Sequence, residues 1–235
     1  MGKKNVTVII PARNEQKTIA KVVKLVKTNK NVNQVIVVDN NSTDDTSKLA
    51  KKAGAEVVFC EMQGKGYAME AGMQLVKNDI VAFVDADINN YCKNIIEILI
   101  EPLIKDKADF IKSMFERKGG RVTELVAKPL LEITYPNICN FSQPLSGMIA
   151  GKTELFKKME FEKDYGVDIG ILLDMIDLNA RITEVSIGKI KNSYNDWKNL
   201  DKMSKEVIGA ILKRKYGQGG NHIWKFMCLD MDKLN

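Results

Sequence analysis

The sequence predicts an α/β fold in which a mainly parallel central sheet is flanked by helices on both faces. Three observations predict this fold. Short apolar, β-branched runs alternate with segments of helical periodicity through the first half of the chain. These runs are apolar at nearly every position, as expected of strands that helices cover on both sides. Polar clusters follow four of them, at the strand ends where open parallel sheets bind ligands.

The first half contains four predicted strands, at 6–10, 35–38, 56–60 and 80–84. The helix after the first strand has apolar residues at helical spacing, and Asn14 is predicted to cap it. Ser42 or Thr43 is expected to begin a second helix near 44–53, which Gly54 ends. A third helix is predicted at 65–76. Strands that alternate with helices of this length form right-handed βαβ units.

The second half is less regular. It contains a predicted helix at 95–104, interrupted near Pro102, and a helix that begins at Val122 after two glycines. The remaining elements are strands at 109–115, 146–150 and 182–187 and helices at 167–178 and 203–215. A tail at 216–235 follows, with the apolar stretch Ile223-Trp224-Lys225-Phe226.

Composition restricts the class of protein. The 235 residues suffice for one large α/β domain, and 45% hydrophobic with 28% charged residues is ordinary for a globular protein. We find no apolar run long enough for a transmembrane segment and no signal peptide. Four scattered cysteines predict reduced thiols in a cytoplasmic protein, and a single histidine, His222, argues against zinc.

The net charge of +6 suits small anionic partners or weak attraction to an anionic membrane surface. No basic run is interleaved with aromatic residues, so we expect no nucleic-acid partner. The chain also lacks a G-x-G-x-x-G loop and a Walker A motif, which disfavours hydride transfer and P-loop chemistry.

A pair of carboxylates, Asp85 and Asp87, follows the buried strand 80–84. Buried charge is costly unless it is paired, so the pair predicts a bound Mg²⁺ or Mn²⁺ that in turn holds a diphosphate. Lys65 lies between two glycines at a helix start, where a cation and free N–H groups can meet a phosphate. Asp39, at the end of the second strand, can accept a hydrogen bond from a base or ribose.

These clusters together resemble family 2-type glycosyltransferases with the GT-A fold. The resemblance rests on the segments 11–15, 38–44, 64–66 and 85–87 and covers about residues 5–115. It implies a nucleotide-diphospho-sugar donor, bound by Pro11, Ala12, Arg13, Glu15, Asp39, Asn40, Lys65, Asp85 and Ala86. It further implies metal binding by Asp85, Asp87 and Asn192, and catalytic roles for Asp87, Asp168 and Lys65.

The second half resembles glucosyl-3-phosphoglycerate synthases at 119–125, 129–131, 143–147, 165–170 and 203–212. This implies retaining transfer of a hexose, expected to be glucose, to a small anionic acceptor such as 3-phosphoglycerate. The implied acceptor-binding residues are Gly120, Arg121, Val122, Thr123, Gly147 and Tyr165. In that family a glutamate replaces Asp168 and a metal-binding histidine lies near Asn192, whose amide oxygen suits Mg²⁺. His222 could fold back as a substitute.

The resemblance divides the chain into a nucleotide-sugar-binding half at 1–115, an acceptor-binding half of the same domain at 116–215, and the tail. It also implies a homodimer. The sequence leaves open the base, uridine or guanosine, and the sugar, glucose or mannose. Two alternatives remain: a polyprenyl-phosphate sugar transferase at the membrane surface, and a non-catalytic nucleotide-sugar binding protein. A nucleotidyltransferase is disfavoured, because segment 11–15 is not glycine-rich.

Overall fold

The computed structural model describes residues 5–88, 90–116, 120–136, 140–190 and 197–217. They contain a seven-stranded sheet with the order β3-β2-β1-β4-β6-β5-β7. Only β6 runs antiparallel to its neighbours, β4 and β5. The strands are β1 Val6–Ala12, β2 Val32–Asp39, β3 Glu56–Phe59, β4 Ile80–Phe83, β5 Phe110–Glu116, β6 Ile149–Lys152 and β7 Ile182–Lys189. The predicted, mainly parallel α/β fold is confirmed.

The helices cover both faces of this sheet. They are α1 Ile19–Val26, α2 Thr46–Lys52, α3 Lys65–Met73, α4 Ile95–Ile104, α5 Lys128–Thr134, α6 Thr153–Phe156, α7 Val167–Asp177 and α8 Trp197–Tyr216. A π-helical turn, Thr123–Ala127, leads directly into α5. Helix α8 packs against α7, the π-helical turn and α5, and so joins the end of the described chain to the second half.

Two hydrophobic cores lie on opposite faces of the sheet. Strand β1 shows why the strands are apolar throughout: Val8 and Ile10 face one core and Ile9 faces the other. Successive side chains of a strand point to opposite faces, so a strand covered on both sides needs an apolar residue at each position. Helices α1, α2 and α4 contribute to the first core, and α3, α7 and α8 to the second.

Two details of the predicted elements are wrong. Asn14 does not cap α1, because Thr18 holds the N-cap position and Asn14 adopts a left-handed φ of 57°. Asn14 Oδ1 instead accepts a hydrogen bond from Thr43 N at 2.8 Å, which ties the loop after β1 to the loop after β2. Pro102 does not interrupt α4, since the helix continues to Ile104.

The second half of the chain completes the sheet begun by the first. Strand β6 inserts between β4 and β5, and β7 pairs with β5. At the edge of the sheet where β5 begins, Arg181 donates to both carboxylate oxygens of Asp109 at 2.9 Å. Lys152 forms an ion pair with the same carboxylate at 2.6 Å, so one cluster fastens β5, β6 and β7 together. Within the described ranges, no helix combines the length and apolarity needed to span a membrane.

Candidate active site

A cavity of about 440 Å³ lies where β1, β2 and β4 end and α3 begins. Because the carboxyl ends of parallel strands meet at one edge, the polar clusters that follow them are brought together. The predicted site residues that line the cavity are Pro11, Ala12, Arg13, Glu15, Asn40, Lys65, Asp85, Ala86, Asp87, Gly147, Tyr165 and Asp168. Residues from both predicted halves of the chain therefore share one cavity.

Lys65 is a cation that lines this cavity between two carboxylates. Its Nζ donates to Asp168 Oδ2 at 2.8 Å and lies 3.2 Å from Asp85 Oδ1. Burial alone would lower the pKa of Lys65, but the carboxylates of Asp168 and Asp85 outweigh burial and hold that pKa above its ordinary value. Lys65 is therefore charged, and it bridges a residue after β4 to the first turn of α7.

Asp87 lies in an acidic part of the same cavity, with Asp85 and Glu15. Burial, then the Asp85 charge, then the Glu15 charge raise the pKa of Asp87 to about 6. Burial also raises the pKa of Glu15. Carboxylates that repel one another gain most from a bound cation, and carboxylate oxygens are the ligands that Mg²⁺ and Mn²⁺ prefer. The residues present therefore fit a divalent ion at Asp85 and Asp87.

The remaining predicted metal ligands lie outside the part of the chain that the structure describes. In the described part of the chain, no three His, Cys, Asp or Glu side chains are arranged around one metal position. The predicted ligand Asn192 and His222 both lie outside the described residues. Ile190, two positions before Asn192 in sequence, lines the cavity. The chain thus reaches the cavity at the end of β7.

The residues after β2 support the loop that precedes α3. Asn40 Oδ1 accepts a hydrogen bond from Gly64 N at 2.8 Å, and Asn40 Nδ2 donates to Met62 O at 2.6 Å. Asp39 accepts from Ser42 N at 3.0 Å and from the Ser47 hydroxyl, and it does not line the cavity. Asp39 therefore shapes the loop after β2, and its contact with a donor stays a prediction.

The loop before α7 is held from two sides. Asp164 Oδ1 accepts from Lys65 N at 3.2 Å, and Asp164 Oδ2 accepts from Lys202 Nζ on α8 at 2.6 Å. Glu206, also on α8, accepts from Tyr165 N at 2.7 Å. Helix α8 thereby fixes the segment that carries Tyr165 against the start of α3.

Gly147 also lines the cavity, directly against Lys65 and Asp85. A Cβ at this position would lie 2.1 Å from Lys65 Nζ and 2.8 Å from Asp85 Oδ1. These distances are too short for a real contact, so only glycine lets the cation and carboxylate approach the backbone here. Gly147, predicted to bind the acceptor, therefore also leaves room for Lys65.

A family model, Glycosyl transferase family 2, matches residues 7–161, which carry most of this cavity. The chain belongs to glycosyl transferase family 2. Among its relatives, the glucosyl-3-phosphoglycerate synthase of Mycolicibacterium smegmatis is 34% identical over 90% of this chain and 78% of the relative. The synthase of Petrotoga mobilis is 30% identical over 91% of this chain and 74% of its own.

Solved structures agree with these relatives. A crystal structure of the Mycobacterium tuberculosis glucosyl-3-phosphoglycerate synthase with Mn²⁺, UDP-Glc and phosphoglyceric acid has a TM-score of 0.85 and 36% identity. It covers 90% of this chain and 79% of its own. A second structure of that enzyme, with Mg²⁺ and UDP, also has a TM-score of 0.85, with 35% identity and coverage of 90% and 79%. The predicted GT-A glycosyltransferase fold is confirmed.

The glycosyltransferase does not place all predicted site residues together. Gly120, Arg121, Val122 and Thr123 are not among the residues that line the cavity. Gly120 has a φ of 85°, and Val122 packs in the core beside α7 and α8. These residues lead into the π-helical turn, an irregularity that is common at functional sites. Acceptor binding by this segment stays a prediction.

Sequence reasoning also missed residues of this site. Tyr91 donates its hydroxyl hydrogen to Asp85 O at 3.0 Å, and burial with the nearby carboxylates raises the pKa of Tyr91 well above its ordinary value. Tyr91 therefore stays protonated and steadies the loop that carries both aspartates. Lys112 is wholly buried on β5 beside Asp168. A lysine within the apolar run of strand 109–115 was the available signal.

Proposed function

We propose that this glycosyltransferase moves glucose from UDP-glucose to 3-phosphoglycerate and releases UDP. The observation that carries the proposal is the position of Lys65 Nζ, between Asp168 Oδ2 and Asp85 Oδ1 in the cavity at the strand ends. This places a fixed positive charge at the edge of the sheet where a donor diphosphate is expected. Matches to glucosyl-3-phosphoglycerate synthases over 90% of the chain support both the donor and the acceptor.

Asp85 and Asp87 are proposed to hold Mg²⁺ or Mn²⁺, as supported by the metal-bound structures of the relatives. A divalent ion bound there would neutralise the negative charge that develops on the departing diphosphate. Lys65 gives further electrostatic stabilisation on the same side, because its cation already lies 3.2 Å from the Asp85 carboxylate. Tyr91 positions Asp85 through a hydrogen bond to its carbonyl oxygen. Gly147 leaves room for the side chains of Lys65 and Asp85.

Retention of the anomeric configuration is part of the proposal. We place Asp168, which lines the cavity, beside the acceptor, and Lys65 Nζ donates to its Oδ2 at 2.8 Å. A carboxylate engaged by a lysine is a weakened nucleophile, which favours attack by the acceptor hydroxyl on the face that the diphosphate leaves. Such an attack needs no covalent sugar–enzyme intermediate. Product analysis by proton NMR distinguishes an α- from a β-linked glucose.

On the acceptor side, the proposal uses Tyr165 and Gly147 in the cavity and Gly120, Arg121, Val122 and Thr123 beyond it. An arginine, a hydroxyl and backbone N–H groups at a helix start form a pocket for a phosphate or carboxylate. The excess of basic residues, a net charge of +6, attracts such an acceptor. Arg121→Ala should therefore raise KM for 3-phosphoglycerate more than it changes KM for the donor.

The decisive experiment measures nucleoside diphosphate release from UDP-glucose, GDP-glucose and GDP-mannose, each with and without 3-phosphoglycerate. We expect release from UDP-glucose that depends on 3-phosphoglycerate and on Mg²⁺ or Mn²⁺. Asp87→Ala serves as the inactive control. Turnover that is independent of 3-phosphoglycerate, or that persists in the control under chelation, would contradict the proposal.

The polyprenyl-phosphate and non-catalytic alternatives receive less support, because the relatives matched over most of the chain are synthases that act on a soluble acid. Flotation with anionic vesicles tests the membrane alternative directly. A homodimer and a cytoplasmic location remain part of the proposal. Analytical ultracentrifugation tests the dimer, and fractionation of the native cell tests the location.

A further inference from the structure

Lys112 is a buried cation that the proposed reaction does not yet use. It lies on β5 with no exposed surface, and its Nζ donates to Asp168 O at 3.0 Å. A lysine ammonium without water is costly unless a negative charge lies close to it. Among the charges that act on Lys112, the Asp168 carboxylate is the largest favourable one, and Lys65 opposes it.

The Asp168 carboxylate is only half satisfied. Its Oδ2 accepts from Lys65, whereas its Oδ1 is buried without a hydrogen-bond partner in the described part of the chain. Asp168 nevertheless lines the cavity. A buried acceptor with a free lone pair costs free energy unless a ligand donates to it. Because Asp168 lines the cavity, its buried Oδ1 is an acceptor for a hydroxyl of the sugar or of the acceptor substrate once a ligand is bound.

Lys65 cannot serve Asp168 alone. Its Nζ already contacts two carboxylates, and the proposed function assigns it to the donor diphosphate as well. When Lys65 turns toward the diphosphate, the charge of Lys112 still stabilises the Asp168 carboxylate. Burial lowers the pKa of Lys112 to about 8, which still leaves it charged at neutral pH. Lys65 and Lys112 therefore both neutralise the Asp168 carboxylate.

We propose that Lys112 is a positioning residue that acts through Asp168. It holds the first turn of α7 by the Asp168 carbonyl, and its charge lies beside the Asp168 carboxylate, whose Oδ1 accepts from a substrate hydroxyl. This inference rests on the proposed function, in which Asp168 faces the acceptor and the sugar.

The test is a double-mutant cycle with Lys112→Met and Asp168→Asn. Methionine keeps an unbranched side chain as far as Cε and removes both the charge and the hydrogen-bond donor. We expect Lys112→Met to lower kcat/KM for 3-phosphoglycerate at least about tenfold in the wild-type background. In the Asp168→Asn background, which retains the carbonyl but not the charge, the loss should be under about threefold. An equal loss in both backgrounds would overturn the proposal, because it would come from the carbonyl contact alone.

Lys112→Gln separates charge from hydrogen bonding. Glutamine retains a donor without a charge, so the proposal expects it to stay as slow as Lys112→Met. Recovery of wild-type turnover in Lys112→Gln would overturn the assigned role of the charge.

A second measurement needs no substrate. Urea unfolding of the same four proteins gives the coupling free energy between Lys112 and Asp168. We expect Lys112→Met to lower the free energy of unfolding less in the Asp168→Asn background than in the wild-type background. Zero coupling would refute the Lys112 inference whatever the activity. If the wild type transfers nothing to 3-phosphoglycerate while the coupling is present, the proposed function fails, and only the structural coupling between Lys112 and Asp168 stands.

Discussion

Replacing Gly147 by alanine separates the geometry of the catalytic cavity from the stability of the fold. The new Cβ would lie 2.1 Å from Lys65 Nζ and 2.8 Å from Asp85 Oδ1. To reach an ordinary contact of 3.4 Å, the Nζ must move by 1.3 Å (3.4 − 2.1) and the carboxylate oxygen by 0.6 Å (3.4 − 2.8). Both atoms end flexible side chains, so they can move at little cost to folding.

The movement changes the contacts of Lys65, for which we propose a catalytic role. Its hydrogen bond to Asp168 is 2.8 Å long and its distance to Asp85 is 3.2 Å, so a displacement of 1.3 Å breaks at least one of these contacts. A catalytic group misplaced by about 1 Å loses about 10²-fold in rate. We therefore expect Gly147→Ala to lower kcat/KM for UDP-glucose about 10²-fold and to change the melting temperature by less than about 3 °C.

The matched control is Gly151→Ala, four residues along the chain. There the Cβ would lie 2.9 Å from the buried Phe156 ring and 3.1 Å from the Asp109 carbonyl oxygen. A buried ring and a backbone atom cannot move aside as the end of a flexible side chain can. Overpacking of this kind destabilises by about 1–3 kcal/mol. Gly151→Ala should thus have a lower melting temperature than the wild type and the same turnover. Coupled UDP release and differential scanning calorimetry measure both quantities. Wild-type turnover in Gly147→Ala would show that the observed place of Lys65 is not needed.

Three further predictions concern other parts of the molecule. Burial and the Asp85 charge raise the pKa of Asp87 to about 6, so protons should compete with a metal for this carboxylate. Calorimetry should find that Mn²⁺ binds about tenfold more weakly at pH 5 than at pH 7.5. Equal affinities at the two pH values would refute this prediction. Tyr91→Phe removes the hydrogen bond to the Asp85 carbonyl and should weaken Mn²⁺ binding about tenfold with no change of fold by circular dichroism; unchanged binding would count against a positioning role. Hydrogen bonds from Arg181 hold the pKa of Asp109 below its usual range, so the stabilisation is present above pH 4 and is lost as the pH falls. Asp109→Asn should therefore melt about 3 °C lower at pH 7, with turnover intact, and the difference should shrink at pH 3.

The sequence was sufficient to predict the sheet and its ligand-binding edge. Each of the first four strands carries a local pattern, and Asp85, Asp87 and Lys65 follow strand ends directly or begin a helix. Such features depend on residues that are close in sequence, which is why they can be recognised without a structure.

What sequence reasoning could not supply depends on distant pairing. Lys112 lies beside Asp168 only because β6 and β7 flank β5, and 56 positions separate the two residues. The distance from Gly147 to Lys65 likewise results from the antiparallel insertion of β6 beside β4. The prediction that Asn14 caps α1 is wrong because the hydrogen-bond partner of its side chain, Thr43, belongs to the loop after β2.

The contact between Lys65 and Asp164 spans 99 positions, and α8 must dock before Asp164 is fixed. During synthesis on a ribosome, the first four strands emerge long before α8. The nascent protein therefore carries Asp85, Asp87 and Lys65 for many seconds before Asp164 is fixed against the start of α3, and the wall of the cavity that α8 supplies is added only when this helix docks.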